Sequence, residues 1–238
     1  MARTFSSMAA SAPEGEGMAR RLVDLTQPLF DGIRGLSTEQ KATIADVGYN
    51  TTTLHLYSHA GTHMDAPLHF VEGGDTIDNV SLDVCMGPAE LIDLSYAEPN
   101  SLLVVADLLP HVERIQPGAR LLLRTDWSLH QGQEDFRTHM PRVSPELASW
   151  LVARKIALLG VETPSVASVR SGMKAELTQV HQILLKAGIV IVEGLVKLHE
   201  LRQETVELIV LPLKIRAGDG SPVRAVTFQS MLRTSSPT

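Results

Sequence analysis

The sequence lacks the features that define several large classes of protein. It contains one cysteine in 238 residues, Cys85, which excludes an intrachain disulfide and fits a reducing compartment, so we expect a cytoplasmic protein. No apolar run reaches the roughly 20 residues that span a bilayer. Lys and Arg form no run and the formal net charge is −6, which argues against nucleic acid and anionic membranes as partners. We expect a small-molecule substrate instead.

The N-terminal segment differs in composition from the rest of the chain. Residues 1–19 are rich in small residues, Ser, Pro and Gly, and they lack the continuous apolar stretch of a secretory signal. We predict that they form a flexible extension. No long linker or internal repeat interrupts the remaining sequence, so residues 20–238 are predicted to form one domain.

Hydrophobic patterns predict a mixture of strands and helices in that domain. Predicted strands include "YNTTTLHLYSH", "ARLLLRT", "IALLGVE" and "IVIVEGL". Ser144 and Pro145 begin one predicted helix, "PELASWLVARK", and Lys186 and Gly188 end another, "KAELTQVHQILLKAG". The segment "FDGIRGLSTEQ" is predicted to be a loop. The chain is therefore placed in the α/β or α+β class, with a substantial mixed sheet.

The segment "HAGTHMDAPLHF" carries the strongest functional pattern in the chain. It follows a predicted strand, and Gly61 and Pro67 disfavour a regular helix, so we predict a loop. It contains three histidines and one aspartate in the spacing H-x3-H-x-D-x3-H, namely His59, His63, Asp65 and His69. Imidazole and carboxylate are suitable ligands for Zn, Mn and similar cations. The alternatives are ordinary surface histidines, or a histidine that transfers protons beside the metal.

Two further candidate ligands lie downstream. His181 falls on the apolar stripe of the second predicted helix, a position that is also typical of a histidine buried in a core. Glu193 ends the apolar run of residues 189–192. Burying a carboxylate there is unfavourable unless it binds a metal or pairs with an Arg or Lys. Together with the histidine-rich segment, these two residues form a coherent ligand set.

These residues resemble a known family. The segments "HAGTHMDAPLHFVEGG", "LLGVETPSV" and "LPLKIRAGDGSPVRAV", with His181 and Glu193, look like the cyclase family of metal-dependent hydrolases, over about residues 21–228. Bacterial kynurenine formamidases and isatin hydrolases belong to this family. The resemblance implies a swivelling β/α/β fold in a single domain, one or two Zn or Mn ions per subunit, and a homodimer or homotetramer. It also implies hydrolysis of the C–N amide bond of an aryl formamide or a lactam.

The resemblance also implies a role for each candidate ligand. The first metal would be bound by His59, His63 and Asp65. Asp65 would also reach a second metal, which His181 would bind, and Glu193 would contact both ions. These assignments leave one histidine of the segment for proton transfer.

That histidine is His69, which the resemblance makes the acid/base that exchanges a proton with water or with the leaving nitrogen. The candidates for a substrate-pocket wall are Phe30, Trp127 and Phe136, for which packing within the protein is the alternative. The chain departs from the family at two places. Phe30 lies in a segment where kynurenine formamidases carry a Trp, and Glu162 replaces the usual Asp before Thr-Pro-Ser.

Several functional hypotheses follow from the sequence. The first is a metal-dependent amide hydrolase, with kynurenine formamidase itself, which converts N-formylkynurenine to kynurenine and formate, as an alternative. The second is a metal-binding protein without catalysis. The third is a lyase or isomerase that uses the metal to polarise a carbonyl. A serine hydrolase is disfavoured because the chain has no G-x-S-x-G motif.

Overall fold

The structure is a computed structural model that describes residues 20–230 as an α/β fold. Its strands are β1 Arg20–Asp24, β2 Leu36–Ala42, β3 Thr51–Leu56, β4 His63–Asp65, β5 Met86–Asp93, β6 Leu102–Leu103, β7 Arg120–Arg124, β8 Arg142–Val143, β9 Leu158–Val161, β10 Val190–Glu193, β11 Thr205–Pro212 and β12 Gly220–Ser230. Its α-helices are α1 Ile44–Val47, α2 Leu82–Cys85, α3 Val105–Leu108, α4 Pro145–Ala153 and α5 Lys174–Lys186. The predicted extension, residues 1–19, lies outside the described residues, so the domain boundary stays a prediction.

Seven strands close into a barrel. Strands β5, β7, β9 and β10 are parallel neighbours, and β11 and β12 extend the sheet in antiparallel pairing beyond β5. The short strand β4 pairs antiparallel with both β10 and β12, and this double pairing closes the ring. Strand β1 pairs with a different part of β12. The structure confirms the predicted α/β class with a mixed sheet.

Two hydrophobic cores fill the two sides of the barrel wall. Alternating side chains of a strand point to opposite faces. Leu122 therefore faces the core inside the barrel, whereas Leu121 and Leu123 face the helices α3, α4 and α5 on the outside. These helices lie in the crossovers that parallel neighbours require. In the described part of the chain, no helix is long and apolar enough to cross a membrane.

Two segments that were predicted to be loops contain strands. His63–Asp65 forms β4 and Pro67–His69 forms a 3-10 helix. Three residues are too few to show an alternating pattern, and β4 is defined instead by its pairing with distant strands. Leu36–Ala42 forms β2, which pairs with β3 in a hairpin. Its side chains are exposed or half-buried along the whole strand, so no apolar periodicity marks it in the sequence.

Candidate metal centre

Strands β4 and β10 bring three of the candidate ligands together. His63 and Asp65 are two residues apart on β4 and point to the same face, whereas Met64 between them is buried in the barrel core. Glu193 ends β10 and lies opposite His63 in the antiparallel register. His63 Nε2 is 3.3 Å from Glu193 Oε2 and 3.5 Å from Asp65 Oδ1. Strand register therefore assembles these three side chains.

Helix α5 adds a fourth candidate ligand from outside the barrel wall. His181 Nε2 lies 3.4 Å from Glu193 Oε1 and 3.8 Å from Asp65 Oδ2. Its Nδ1 lies 2.7 Å from the Leu177 carbonyl, which can only accept a hydrogen bond, so Nδ1 carries the proton. A backbone carbonyl that fixes the tautomer in this way leaves Nε2 free to bind a metal. The sequence left open whether His181 is a metal ligand or a histidine buried in the core. In the structure the ring is buried and is also directed into the cluster, so burial does not exclude the ligand role.

In each of the two carboxylates, the two oxygens face opposite sides of the cluster. Asp65 Oδ1 is 2.8 Å from His59 Nδ1, and Asp65 Oδ2 faces His181. Glu193 Oε2 faces His63, and Glu193 Oε1 faces His181. The backbone N–H of Val166 also donates to Glu193 Oε1 at 2.8 Å. Each carboxylate therefore directs its two oxygens toward two different histidines.

Two observations on the buried cluster test whether a divalent cation fits there. Asp65 is 1% exposed, and its Oδ2 has no hydrogen-bond partner within the described chain. An orphaned buried carboxylate oxygen is unfavourable unless a cation satisfies it. Burial lowers the pKa of His63, but the hydrogen bond to Glu193 and the charges of Asp65 and Glu193 raise it to about 9. The cluster thus attracts positive charge, and its nitrogen and oxygen donors fit a divalent metal.

A second group of ligand atoms adjoins the first. His59, Asp65 and His69 offer ligand atoms within 4.8 Å of one another, as do His63, Asp65 and Glu193. The His69 ring stacks on His59 with 3.8 Å between ring centroids. Burial lowers the pKa of His69 from its ordinary value, against the opposing charge of Asp65. Burial therefore favours the neutral imidazole of His69, which is the form that can accept a proton.

Asp219 also lies at the site, although the sequence pattern did not identify it as a candidate. Its Oδ2 lies 3.0 Å from His59 Nε2 and 3.7 Å from His69 Nδ1. The sequence signal is weak, because "GDGSP" predicts only a turn. The register explains the position: Gly220, the next residue, pairs with Asp65 across β12 and β4.

A cavity of about 780 Å³ opens onto the cluster. It is lined by His59, His63, His69, His181 and Glu193, and its aromatic lining comprises Tyr57, Phe70 and Phe136. Phe136 also lines an adjoining cavity of about 290 Å³, to which Phe30 contributes. Among the described residues, no histidine or carboxylate lines a groove of about 850 Å³ along α5, so this groove does not have the ligands of a metal site. Two of the three aromatics predicted for the pocket wall thus lie at the cavities.

Trp127 was predicted as a candidate for the pocket wall, but it does not lie at these cavities. Its side chain is 2% exposed and lines neither of these two cavities. The indole Nε1–H donates to the Phe136 carbonyl at 2.9 Å, and the ring stacks on His130. Trp127 therefore packs beneath the segment that carries Phe136, as the packing alternative predicts.

Glu162 supports the same segment. Its fully buried carboxylate accepts hydrogen bonds from the backbone N–H groups of Thr125 and Asp126 and from the Ser128 hydroxyl. Burial raises its pKa to about 6, although these hydrogen bonds oppose the shift. Glu162 makes no hydrogen bond or ion pair with the candidate ligands within residues 20–230. It instead fixes the backbone of Thr125 and Asp126, which precedes the cavity-lining residues of this segment.

This combination of barrel, buried ligand cluster and adjoining cavity is typical of a metal-dependent enzyme that acts on a small molecule. Comparison with known proteins defines the class further. Residues 23–168 match the model of the Cyclase family, which is described as "Putative cyclase". The chain belongs to the Cyclase family.

Curated relatives and solved structures agree with this assignment. Kynurenine formamidase of Bacillus cereus is 36% identical over 211 residues, covering 86% of this chain and 95% of that protein. Kynurenine formamidase of Polaromonas naphthalenivorans is 32% identical, with 93% and 95% covered. Isatin hydrolase A of Labrenzia aggregata superposes with a TM-score of 0.80 at 26% identity, covering 89% and 94% of the two chains. Isatin hydrolase A of Ralstonia solanacearum superposes with a TM-score of 0.77 at 28% identity, with 88% and 92% covered.

The family, the relatives and the cluster together define the reaction class. The chain is a hydrolase that uses a divalent metal and acts on carbon–nitrogen amide bonds other than peptide bonds. These findings confirm the predicted family, fold class and reaction class.

Proposed function

We propose that this enzyme hydrolyses the amide bond of an aryl formamide or of a small lactam, beside one or two Zn or Mn ions. The observation that carries the proposal is the buried cluster of His63, Asp65, His181 and Glu193 at the floor of a cavity with aromatic walls. The relatives named kynurenine formamidase and isatin hydrolase support amides of this kind as substrates. N-formylkynurenine is included among the candidates.

Our proposal assigns the metal ligands as follows. His59, His63 and Asp65 would hold the first ion, and His181 would hold the second. Asp65 and Glu193 would serve as ligands at both positions, which the two-sided placement of their oxygens supports. When bound, the divalent cation supplies Lewis acidity toward water and toward the substrate carbonyl. Zn and Mn are proposed because the donors are imidazole nitrogens and carboxylate oxygens without a thiolate.

His69 is proposed as the residue that moves the proton. It lines the cavity, and 24% of its side chain is exposed, so a substrate can reach the ring. The ring is oriented by stacking on His59 and by Asp219, whose Oδ2 lies 3.7 Å from His69 Nδ1. In this position it can accept a proton from the attacking water and deliver it to the leaving nitrogen.

A homodimer or homotetramer is also proposed. The hairpin of β2 and β3 and the residues around it expose large apolar side chains, including Ile44, Tyr49 and Leu54. The concentration of exposed apolar side chains on one hairpin supports a protein–protein contact there. Light scattering coupled to gel filtration measures the oligomeric state, and a monomer at micromolar concentration would contradict this part of the proposal.

The first experiment is metal analysis of the purified protein, followed by a screen of N-formyl arylamines, isatin and small lactams. We expect turnover that is abolished by chelation and restored by Zn or Mn. The variant His69→Ala should keep its metal and lose about 10²- to 10⁴-fold in kcat, the usual contribution of a general acid/base. If it lost the metal instead, His69 would be a ligand, and the proton-transfer role would be wrong.

The alternative functions give different results in the same screen. A metal-binding protein without catalysis takes up metal and turns over none of these substrates. A lyase or isomerase changes the substrate without incorporating oxygen from water. Mass spectrometry of products formed in ¹⁸O-labelled water therefore separates hydrolysis from both alternatives.

A further inference from the structure

Two arginines at the substrate cavity have no role in the proposed mechanism. Arg34 and Arg137 each line both the larger cavity and the smaller one that adjoins it. His59 and His63 line the same two cavities, so both guanidinium groups lie beside the ligand cluster. Arg34 approaches from the segment before β2, and Arg137 from the segment that follows Trp127. Two separate parts of the chain therefore bring positive charge to one space.

Arg34 is oriented without being neutralised. Its Cζ lies 5.5 Å from the centroid of the Tyr57 ring, a cation–π contact that positions the guanidinium. Within residues 20–230, Arg34 forms no ion pair and no side-chain hydrogen bond. Since the aromatic ring offers no acceptor oxygen and Arg34 makes no side-chain hydrogen bond within residues 20–230, its N–H groups stay available to a ligand.

Arg137 is half-buried and, within residues 20–230, forms an ion pair with no counterion. In the described part of the chain it forms neither an ion pair nor a side-chain hydrogen bond. Burial lowers the pKa of its guanidinium, and the nearby charge of Arg34 acts in the same direction, whereas the charges of Glu193 and Tyr57 oppose the shift without pairing with Arg137. Glu134 lines the larger cavity, but no ion pair joins it to either arginine within residues 20–230. A partly desolvated cation without a partner is unfavourable, and an anionic ligand would relieve this.

We propose that Arg34 and Arg137 bind a carboxylate on the substrate, away from the amide bond that is cleaved, and thereby select anionic amides. This inference rests on the proposed amide hydrolysis and names its substrate class. The planar guanidinium donates paired N–H groups whose spacing matches the two oxygens of a carboxylate. Phe136 lines both cavities together with the arginines, so an aryl ring that carries the carboxylate has an apolar surface to contact.

The test compares two substrates that differ in one group, 2-formamidobenzoate with a charged carboxylate and 2-formamidobenzamide with a neutral carboxamide of similar shape. The metal-loaded wild-type enzyme should show the higher kcat/KM for the benzoate. In Arg137→Gln, we expect kcat/KM for the benzoate to fall about 10- to 100-fold, which is the usual effect of losing a hydrogen bond to a charged group. The loss for the benzamide should be at least tenfold smaller. Arg34→Gln should show the same selectivity.

The matched control is Arg216→Gln, which removes the same charge from an exposed residue outside both cavities. This variant should lower kcat/KM by no more than about twofold for either substrate, because exposed charges are screened by salt. Metal content is measured for every variant. An equal loss on both substrates, or a wild-type enzyme that prefers the benzamide, would overturn the inference.

A binding measurement separates this inference from the proposed reaction. Anthranilate is fluorescent, and its binding to the metal-loaded protein is followed directly without turnover. We expect Arg137→Gln to weaken this binding at least tenfold, and Arg216→Gln to leave it within about twofold of wild type. If anthranilate binds through Arg137 but no amide is hydrolysed, only the proposed reaction fails. If amides are hydrolysed and anthranilate affinity is independent of Arg137, only the carboxylate site fails.

Discussion

The buried carboxyl group of Glu162 leads to a prediction whose sign is decided by two opposing effects. Burial disfavours the charged form, whereas hydrogen bonds from Thr125, Asp126 and Ser128 favour it. The burial effect is the larger, and it raises the pKa from 4.5 to about 6. The perturbation is Glu162→Gln, which keeps the size of the side chain and a hydrogen-bond acceptor but does not titrate.

The sign of the effect on stability follows from proton linkage. A carboxyl group whose folded pKa is raised contributes its full stabilisation below the unfolded pKa, and this contribution is lost as pH rises through the folded pKa. For Glu162 the window runs from pH 4.5 to about pH 6. A shift of this size corresponds to about 2 kcal/mol. The free energy of unfolding of Glu162→Gln, relative to wild type, should therefore increase by about 2 kcal/mol between pH 4 and pH 7.

The assay is urea unfolding of both proteins at several pH values from 4 to 7, in the presence of a chelator. Glu72→Gln is the control, because it makes the same substitution at an exposed position. A relative stability of Glu162→Gln that falls as pH rises would refute the reasoning. It would show that the three hydrogen bonds outweigh burial and that the pKa of Glu162 lies below 4.5.

Three further predictions concern the cluster and the core. Asp65→Asn removes one negative charge from the cluster and should lower the affinity for Zn more than about 10-fold in a competition titration with a chelator; unchanged affinity would exclude Asp65 as a ligand. Gly220→Ala places a Cβ 2.7 Å from His59 Cε1 and 2.8 Å from the Met64 carbonyl oxygen, so it should reduce bound metal, as measured by elemental analysis. Leu159→Ala should lower the free energy of unfolding by about 2–5 kcal/mol, because the side chain is fully buried between the sheet and the helices. A loss below 1 kcal/mol in urea unfolding would contradict that packing.

Much of the fold was predictable because its longer helices and its buried strands each have a recognisable hydrophobic pattern. The helix that became α5 shows an apolar stripe and a clear end, and the strands that became β7, β9 and β10 are short apolar runs. Strand β4 was not predictable, because three residues show no period. Strand β2 was not predictable either, because no side chain of it is buried. Both strands are specified by partners that lie elsewhere in the chain.

The ligand types were readable from the sequence because metal chemistry restricts them to few residues. Histidine and aspartate at close spacing, a histidine on an apolar helix face and a glutamate at the end of an apolar strand are each unusual. What the sequence could not decide is which atoms meet. The register of β4 against β10 sets Glu193 opposite His63, and the register of β4 against β12 brings Asp219 to His59.

The sequence by itself thus determined the metal chemistry, the α/β class and the family. The tertiary structure alone decided that Asp65 and Glu193 each face both sides of the cluster, that Trp127 packs away from the cavity, and that Arg34 and Arg137 meet at it. The physical reason is that residue type and local period are properties of neighbouring residues. Charge pairing, burial and cavity shape arise only when segments that are distant in sequence pack against one another.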